Sequence, residues 1–525
     1  MNALFLILPL WIQNETAAPE SVGVSSERLL QIDVELKEAV KRRDIPQAVV
    51  SIGRRGKVIY QKEFGRANLI DLLPNAKPIP VKECDAIFDL ASLTKVVATA
   101  TSIMALVDDG KLKIDDLVIQ YIPEFAAGGG DRAKVTIEQL LTHRAGLVAD
   151  DSMDLYHGSP PEIFARKYQQ KLQNPPGSKF VYSDAGYEVL GEIVKVVSGK
   201  PLDEFATERI FRPLQMNDTR FIKNADAPPD YLARIARTSA NAEFRLGDIH
   251  DPRARALGGV AGHAGLFSTA GDLSKYCIAI LGGGGGVLKP ESVAAMTKPR
   301  FYTDKNIRGL GFDISTAYSG PRGELFPLGS FGHTGFTGTS LWCDPVSQTF
   351  VILLTNSVYY EKGSVRELRS KVATLAAAAI TDSDAAAWTA VDGPVRSFIA
   401  FCESKERGKP AAVQARPQLD VRCGIDILEE SSFKPVAKCK IGLLTNQTGR
   451  TRNGRSTVDV LCSAGAKNAG VELLRIFSPE HGIRGTADEK INNSVDEKTG
   501  LPIVSLYSES RRPRAEDLTD LDAVV

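Results

Sequence analysis

The sequence of 525 residues has no excess of either charge, because Lys and Arg together number 64 and Asp and Glu together number 64. This balance predicts no basic surface for nucleic acid and none for an anionic membrane. The seven cysteines are scattered without a Cys-x-x-Cys pair, and the six histidines include no His-x-x-x-His pair. The sequence therefore predicts no disulfide framework, no metal site, no cofactor and no nucleic-acid partner.

The sequence begins with a short apolar run, ALFLILPLWI at residues 3–12, which is too short to span a bilayer. Its length fits the core of a signal peptide, although no Lys or Arg precedes it and Pro19 follows the small residues Ala17 and Ala18. We therefore expect residues 1–18 to be the signal peptide of a periplasmic or secreted protein with no integral membrane segment. The alternative is a cytoplasmic protein in which this run forms an N-terminal strand.

Residues 27–381 have a pattern of helices and strands that predicts one α+β domain. One helix is predicted to start near Ser92, and others are predicted at 26–43, 136–147, 183–199, 271–286 and 364–381. A hairpin is predicted at 48–65, and three late strand-like runs are GLGFDIST, TSLWCDP and TFVILLTN. Strands at both ends with helices between them favour one antiparallel sheet completed by the two ends of the domain.

Residues 382–416 are first Ala-rich and then charged with prolines, and this composition predicts a linker. A second domain is predicted over 418–525, where KIGLLTN, VELLRIF and LPIVSLY are short continuous apolar runs typical of buried parallel strands. This pattern indicates an α/β domain. Because the sequence stops at LDAVV, inside a strand-like run, we expect only the front part of that domain.

Ser92 and Lys95 in DLASLTK stand one helical turn apart at the start of a long apolar helix. A serine at this position lies near the positive end of the helix dipole, where backbone N–H groups can stabilise an oxyanion. The same field favours the neutral form of a nearby Lys. The spacing alone is a weak signal, because Ser431 and Lys434 repeat it without a helix start. The helical context makes Ser92 the candidate nucleophile.

Two later stretches supply the other groups that acyl transfer needs in the absence of a histidine base. VYSDAGY places Tyr182 on the loop before a predicted helix, with Asp184 at its cap. FGHTGFTG is a glycine-rich run in which His333, Thr334 and Gly335 lie on a predicted edge strand that a ligand can approach closely. The sequence has no Gly-x-Ser-x-Gly elbow, which disfavours a Ser-His-Asp hydrolase of the α/β-hydrolase fold.

The ordered motifs SLTK, YSD and HTG, with LLTHRAGL and GGVAGHAGLFSTAGDLSKY, resemble the serine β-lactamase and penicillin-binding-protein superfamily, in its class C and esterase branch. The resemblance covers residues 27–381 and implies an α+β fold with an antiparallel sheet and a helical domain. It implies Ser92 as nucleophile, Lys95 as its proton partner and Tyr182 as general base and later general acid. It also implies an oxyanion hole formed by the backbone N–H groups of Ser92 and Phe336.

Two positions depart from the pattern of that superfamily. Asp184 stands where class C lactamases carry Asn, and His333 replaces the Lys of their KTG motif. Both changes weaken the binding of a β-lactam carboxylate, so we expect an amidase, esterase or peptidase rather than a lactamase. His143 and His263 are expected to be structural. The expected substrate-binding residues of this domain are Asp184, His333, Thr334, Gly335 and Phe336.

In the second domain, KIGLLTNQTGR and RIFSPEHGIRG each place a polar loop directly after an apolar strand. Such loops gather at the carboxyl ends of parallel strands, where ligands bind. These stretches, with TGLPIVSLYSESRRP, resemble the front of the Rossmann-like domain of exo-β-N-acetylmuramidases, a family of peptidoglycan-recycling glycosidases. The resemblance implies Glu480 as a catalytic acid and Asn446, Gln447 and His481 as residues of the sugar site. The second acid of the usual two-carboxylate scheme has no candidate that we can assign.

Together the two resemblances predict a cell-wall hydrolase that acts on peptidoglycan fragments. The leading hypothesis is a Ser92-dependent amidase that cleaves the bond between N-acetylmuramic acid and its stem peptide, fused to a muramidase-like domain. One alternative is a carboxylesterase or D-alanyl carboxypeptidase that uses the same residues. Another is a penicillin-binding sensor that is acylated without turnover.

Overall fold

The computed structural model describes residues 15–65, 83–223, 226–241, 243–360, 365–407, 424–446, 449–451, 455–478, 493–506 and 512–525. The apolar run at 3–12, which the sequence predicts to be the core of a signal peptide, lies outside the described residues. The chain divides into two compact units, Met1–Pro410 and Ala411–Val525.

Most strands of the first unit belong to one antiparallel sheet. These strands are β1 (Ala48–Arg54), β2 (Lys57–Phe64), β6 (Ile307–Arg308), β7 (Asp313–Ser315), β8 (Phe331–Thr334), β9 (Ser340–Asp344) and β10 (Thr349–Thr355). Their order across the sheet is β2-β1-β10-β9-β8-β7-β6. β1 pairs with β10 from Ala48↔Thr355 to Arg54↔Thr349, which confirms that the two ends of the domain complete one sheet. A small second sheet consists of β3 (Phe88–Asp89), β4 (Arg220–Phe221) and β5 (Leu266–Ser268).

Helices cover both faces of the large sheet. The described α-helices of this unit are α1 (Ser26–Lys41), α2 (Thr101–Asp108), α3 (Ile137–Leu141), α4 (Pro160–Tyr168), α5 (Asp184–Ser198), α6 (Leu202–Ala206), α7 (Pro229–Leu232), α8 (Pro252–Ala256), α9 (Ala270–Leu281), α10 (Pro290–Thr297), α11 (Arg366–Ala378) and α12 (Ala385–Arg407). Side chains alternate between the two faces along a strand, so Val50 joins a core with α1 and α11, whereas Val49 joins a core with α9.

The nucleophile helix, residues Ala91–Asp108, lies at the centre of the second of these cores. It consists of a 3₁₀ turn at Ala91–Leu93, a π-helical segment at Lys95–Ala100 and the α-helix α2. Within the described residues, this helix is long and apolar enough to cross a membrane by length and composition. However, 83% of it is buried within the protein. Its apolar side chains therefore pack against the core of the first unit.

Two predicted elements differ in the structure. The helix predicted at 136–147 ends at Leu141, because His143 has a φ of +58° and no helix continues through that conformation. Most of the predicted linker at 382–416 is the helix α12, which packs on the first unit. Val395 of this helix is fully buried, and Trp388 Nε1 donates a hydrogen bond to Asp344 Oδ2 at 2.8 Å. The Ala-rich composition and Pro394 concealed this helix from sequence analysis.

The second unit contains a five-stranded mixed sheet in the order β13-β14-β12-β11-β15. The strands are β11 (Lys440–Leu444), β12 (Glu472–Ser478), β13 (Ser494–Val495), β14 (Pro502–Ser505) and β15 (Ala523–Val524). β11, β12, β14 and β15 pair in parallel, as the continuous apolar runs predict, and β13 adds an antiparallel edge. The accompanying helices are α13 (Gly424–Glu430), α14 (Thr457–Leu461) and α15 (Ala464–Asn468).

Candidate active site

Ser92 lies in a tight turn between β3 and the rest of the nucleophile helix. Ala91, just before it, has a φ of +45°, a left-handed conformation that is uncommon for a residue with a side chain. The Ala91 N–H donates to Asp89 Oδ1 at 2.9 Å, and the His250 N–H donates to Asp89 Oδ2 at 2.8 Å. This strained turn is held from two sides, and it leaves Ser92 partly exposed at the start of a buried helix.

The ammonium group of Lys95 has three oxygen partners. Lys95 Nζ donates to Ser92 Oγ at 2.8 Å and to the carbonyl oxygen of His263 at 3.0 Å, and it lies 2.7 Å from Asp184 Oδ1. Burial alone would lower the pKa of Lys95, but the charge of Asp184, the interaction with Tyr182 and the hydrogen bonds with both together outweigh burial and the pKa is raised. The expectation of a neutral Lys is therefore wrong, and Lys95 is an ammonium that donates to the hydroxyl of Ser92.

Tyr182 lies beside this pair, on the loop before α5. Its ring stacks on the ring of His143 with centroids 4.4 Å apart, and Lys95 Nζ lies 5.1 Å from its centroid. The Ser183 N–H donates to His143 Nδ1 at 2.9 Å, so His143 holds both the ring of Tyr182 and the backbone that follows it. Burial raises the pKa of Tyr182, and the charge of Lys95 offsets only part of that rise. Tyr182 is therefore a phenol when the enzyme is at rest.

Asp184 is the first residue of α5 and pairs with Lys95, 89 residues earlier in the chain. Burial would raise its pKa, but the charges of Lys95 and His263 outweigh burial and the pKa is lowered. Asp184 is therefore ionised. An Asn at this position would carry no charge, so Asp184 gives this site a buried ion pair that the class C pattern lacks.

β8 brings His333 and Thr334 to the site. The prediction of an edge strand is wrong, because β7, within GLGFDIST, extends the sheet beyond β8. β7 pairs with β8 at one register position, Asp313↔Gly332, whereas β9 pairs with all four residues of β8. The ring of His333 lies 6.0 Å from that of Tyr182, centroid to centroid.

The loop after β8 is tied to the turn before Ser92. Thr337 Oγ1 donates to the carbonyl oxygen of Asp89 at 2.7 Å, and Thr339 Oγ1 donates to that of Leu90 at 3.0 Å. A Cβ on Gly335 would lie 2.3 Å from the Leu90 carbonyl oxygen, so only glycine allows this approach. Phe336 follows with 75% of its surface exposed. The oxyanion hole of Ser92 and Phe336 N–H groups stays a prediction.

The two histidines beside Tyr182 carry no charge. Burial lowers the pKa of His143 and of His333 well below the usual range, and the positive charges of Arg308 and Lys95 lower both further. His333 Nδ1 lies 2.8 Å from the carbonyl oxygen of Thr334, which makes Nδ1 the nitrogen that bears the proton. His333 therefore does not replace the positive charge of the KTG lysine.

A buried polar cluster behind Lys95 was missed by sequence analysis. Polar atoms of Asp184, Asp251 and His263 all lie within 4.8 Å of one another, a spacing that could hold a metal ion. However, Asp184 is paired with Lys95, and the ring of His263 lies between Asp251 and Glu188. The cluster is therefore a network of ion pairs. GHAGLF is the only sequence signal at His263, and it did not reveal the acidic partners.

In the second unit, one of the four predicted site residues is described. Asn446 follows β11 at its carboxyl end, where its carbonyl oxygen accepts from the Gly449 N–H at 3.1 Å. The other three residues, Gln447, Glu480 and His481, lie outside the described residues. Their predicted roles in a sugar site stay predictions.

Comparison with known proteins gives a match for each of the two families that the sequence resembles. A family model described as Beta-lactamase matches residues 32–375, and a model described as the N-terminal domain of exo-β-N-acetylmuramidase NamZ matches residues 441–525. Two relatives bear the name "Putative D-alanyl-D-alanine carboxypeptidase". The relative from Escherichia coli O157:H7 is 33% identical over 372 residues, and the relative from strain K12 is 33% identical over 375 residues. Each alignment covers 65% of this chain and 85% of the relative.

Solved structures share the fold of the first unit. A penicillin-binding protein homologue from Pyrococcus abyssi is 25% identical with a TM-score of 0.51, over 66% of this chain and 77% of that chain. EstCE1, a hydrolase with promiscuous acyltransferase activity, has 23% identity and a TM-score of 0.54, over 67% of this chain and 99% of its own. The chain therefore belongs to the β-lactamase family of serine hydrolases. Its family domain is followed, in the same chain, by an exo-β-N-acetylmuramidase N-terminal domain.

Proposed function

We propose that the first unit hydrolyses an amide bond of peptidoglycan fragments through an acyl-enzyme on Ser92. The observation that carries this proposal is the 2.8 Å hydrogen bond from Lys95 Nζ to Ser92 Oγ, beside Tyr182. Ser92 Oγ attacks the carbonyl carbon, and its proton passes to the Lys95–Tyr182 pair. The pair returns that proton to the leaving amine, and water then hydrolyses the ester.

The reactive form has one proton fewer on the Lys95–Tyr182 pair than the resting form. Both groups carry a proton at rest, because the pKa of each is raised. The two groups titrate as a coupled pair, so the proton that is lost belongs to the pair rather than to either residue. Activity is therefore expected to rise with pH on the acidic side of its optimum.

We favour the amide bond between N-acetylmuramic acid and the stem peptide as the bond that is cleaved. The neutral His333 offers no charge for a terminal carboxylate at the position of the KTG lysine. The exo-β-N-acetylmuramidase N-terminal domain in the same chain supports a substrate that contains N-acetylmuramic acid. We propose a periplasmic or secreted location for this activity, where such fragments are formed.

A second candidate is a D-alanyl carboxypeptidase, which would release the terminal D-alanine of a stem peptide. It is favoured by the name that the E. coli relatives bear, at 33% identity over most of their length. The same nucleophile and proton-transfer groups would serve this reaction, since both reactions cleave an amide through an acyl-enzyme.

The test is digestion of purified muropeptides by the full chain, with products identified by mass spectrometry. The amidase proposal predicts release of an intact stem peptide and a sugar without peptide. Release of free D-alanine would instead establish the carboxypeptidase. A stable acyl adduct on Ser92 without products would establish a sensor. Ser92→Ala is the control, and turnover that survives in this variant would refute the acyl-enzyme on Ser92.

For the second unit we propose a glycosidase role with Glu480 as catalytic acid, supported by the family match at 441–525. The measurement is release of N-acetylmuramic acid from a chromogenic glycoside by the full chain. Activity that disappears in Glu480→Gln supports the role, whereas equal activity in both proteins refutes it.

A further inference from the structure

The side chain of His263 lies in the core behind Lys95 with a carboxylate at each ring nitrogen. His263 Nε2 lies 3.0 Å from Asp251 Oδ1, and Nδ1 lies 3.3 Å from Glu188 Oε1. Only 1% of the His263 side chain is exposed. The backbone carbonyl of the same residue accepts a hydrogen bond from Lys95 Nζ at 3.0 Å. His263 thus joins the catalytic lysine to two acids, the buried Glu188 and the partly buried Asp251.

These acids belong to a larger network of buried charges. Glu188 accepts from the Tyr156 hydroxyl at 2.8 Å and pairs with Lys167, which also lies 2.7 Å from Asp151 Oδ2. At the rim, the Arg253 guanidinium donates to the carbonyl oxygen of Asp151 at 2.8 Å. Lys95 thus pairs with Asp184, and Lys167 pairs with Asp151 and Glu188. The fourth carboxylate, that of Asp251, has the ring of His263 as its partner.

The two carboxylates beside His263 determine its charge. A neutral imidazole has one N–H, so one of its nitrogens would turn a lone pair towards a carboxylate oxygen 3.0 or 3.3 Å away. An imidazolium has a proton on each ring nitrogen and adds a positive charge to the network. Its Nε2 hydrogen bonds with Asp251, whereas Nδ1 lies within ion-pair distance of Glu188 without a hydrogen bond. Burial would lower the pKa of His263, but the charges of Glu188 and Asp251 outweigh burial and the pKa is raised.

We propose that His263 is a positively charged positioning residue that sets the proton affinity of the Lys95–Tyr182 pair through Asp184. The proposal rests on the proton-transfer role given above to that pair. Asp184 lies between two cations, since its carboxylate is 2.7 Å from Lys95 Nζ and within 4.8 Å of a His263 nitrogen. The imidazolium also interacts with the carboxylate of Asp184. Because of this second positive charge, Asp184 stabilises the protonated form of Lys95 less strongly.

Loss of the imidazolium charge is expected to raise the pKa values of Lys95 and Tyr182. The charged groups that act on His263, namely Glu188, Asp251 and Asp184, stay in place in His263→Gln. Asp150, which interacts with Asp184, and Arg253, which pairs with Asp150, also stay in place. With one positive charge fewer, Lys95 and Tyr182 both hold their protons more tightly. The acidic limb of the pH–rate profile is then expected to move to higher pH by about one unit or more, because the lost charge lies within 4.8 Å of the Asp184 carboxylate that pairs with Lys95.

The first experiment measures the rate at which a fluorophosphonate probe phosphonylates Ser92, with loss of fluoride, as a function of pH in the full chain. His263→Gln is expected to react at least about 10-fold more slowly near neutral pH and to show the shifted acidic limb. His157→Gln, which changes an exposed histidine of the same unit, is expected to match the wild type. A rate that falls by one factor at every pH, with an unmoved limb, would mean that His263 is only structural.

A second measurement is independent of catalysis and of how His263→Gln folds. In the ¹⁵N spectrum of the wild-type protein with labelled histidine, the resonances of His263 are expected to show protons on both ring nitrogens at neutral pH. Asp251→Asn keeps an oxygen to accept from the Ala254 N–H but removes one charge, so its imidazolium is expected to lose its proton at lower pH. A neutral ring at neutral pH in the wild type would overturn the proposal. Activity that survives Ser92→Ala would instead overturn the proposed function and leave the NMR result standing.

Discussion

Asp184→Asn would remove the carboxylate that holds the proton on Lys95. Coulomb's law with an effective dielectric constant of about 20 gives an attraction of about 6 kcal/mol at the 2.7 Å that separates Lys95 Nζ from Asp184 Oδ1. Solvation and the other charges of the network reduce this value, and an opposite charge at such a distance typically changes a pKa by about 1–3 units. Asp184 raises the pKa of Lys95 and of Tyr182, so both pKa values are expected to fall in the variant.

The measurement is the rate at which a fluorophosphonate phosphonylates Ser92 as a function of pH, and its acidic limb is expected to move to lower pH by about 1–3 units. At a pH below the wild-type limb, the variant should therefore react with the fluorophosphonate about 10- to 1000-fold faster. Asp154→Asn changes an exposed carboxylate of the same unit and serves as the matched control. Because the Asn oxygen can still accept from Lys95, the loss of stability should be smaller than the 3–5 kcal/mol typical of a broken buried ion pair. An acidic limb that stays in place, or moves to higher pH, in a folded variant would refute this account.

Three further predictions concern single contacts. Tyr182→Phe keeps the ring that stacks on His143 but removes the hydroxyl, and its turnover should fall by about 10²–10⁴-fold. Near-normal turnover in this variant, together with an inactive His333→Ala, would show that Tyr182 is not the general base. Gly335→Ala places a Cβ 2.3 Å from the Leu90 carbonyl oxygen, so acylation of Ser92 should be lost and the melting temperature lowered, whereas unchanged labelling would show that the loop can move without cost. Trp388→Ala removes a partly buried ring and its hydrogen bond to Asp344, and denaturant titration should show a loss of about 2 kcal/mol in the first unit; a loss near zero would mean that α12 contributes nothing to that unit.

The residues that form the site could be predicted from the sequence, because each of them stands in a local motif. Ser92 and Lys95 are one turn apart, and Tyr182 and Asp184 flank a helix start. Their charge states could not be predicted in the same way. The helix dipole and burial both favour a neutral Lys95, and the ion pair that opposes them joins residues 89 positions apart.

The same limit explains the elements that sequence analysis missed. His263 stands among small apolar residues, and its acidic partners come from α5 and from the turn before α8, so no local pattern reveals its charge. The helix α12 starts with an Ala-rich run, contains Pro394 and ends in a charged run, so its composition indicates a linker. Its position is decided by contacts such as that of Trp388 with Asp344, which only the folded chain forms.

The three partners of Lys95 Nζ come from three separate segments, namely its own helix, the start of α5 and the backbone at His263. A single ammonium group is thus the meeting point of chain regions that are far apart in the sequence. Lys95 lacks part of its contacts while any of these segments has not yet packed in place. A partly folded chain is therefore expected not to react with an active-site probe at Ser92. The fraction of molecules that react with an active-site probe consequently measures the fraction in which these segments of the first unit are folded.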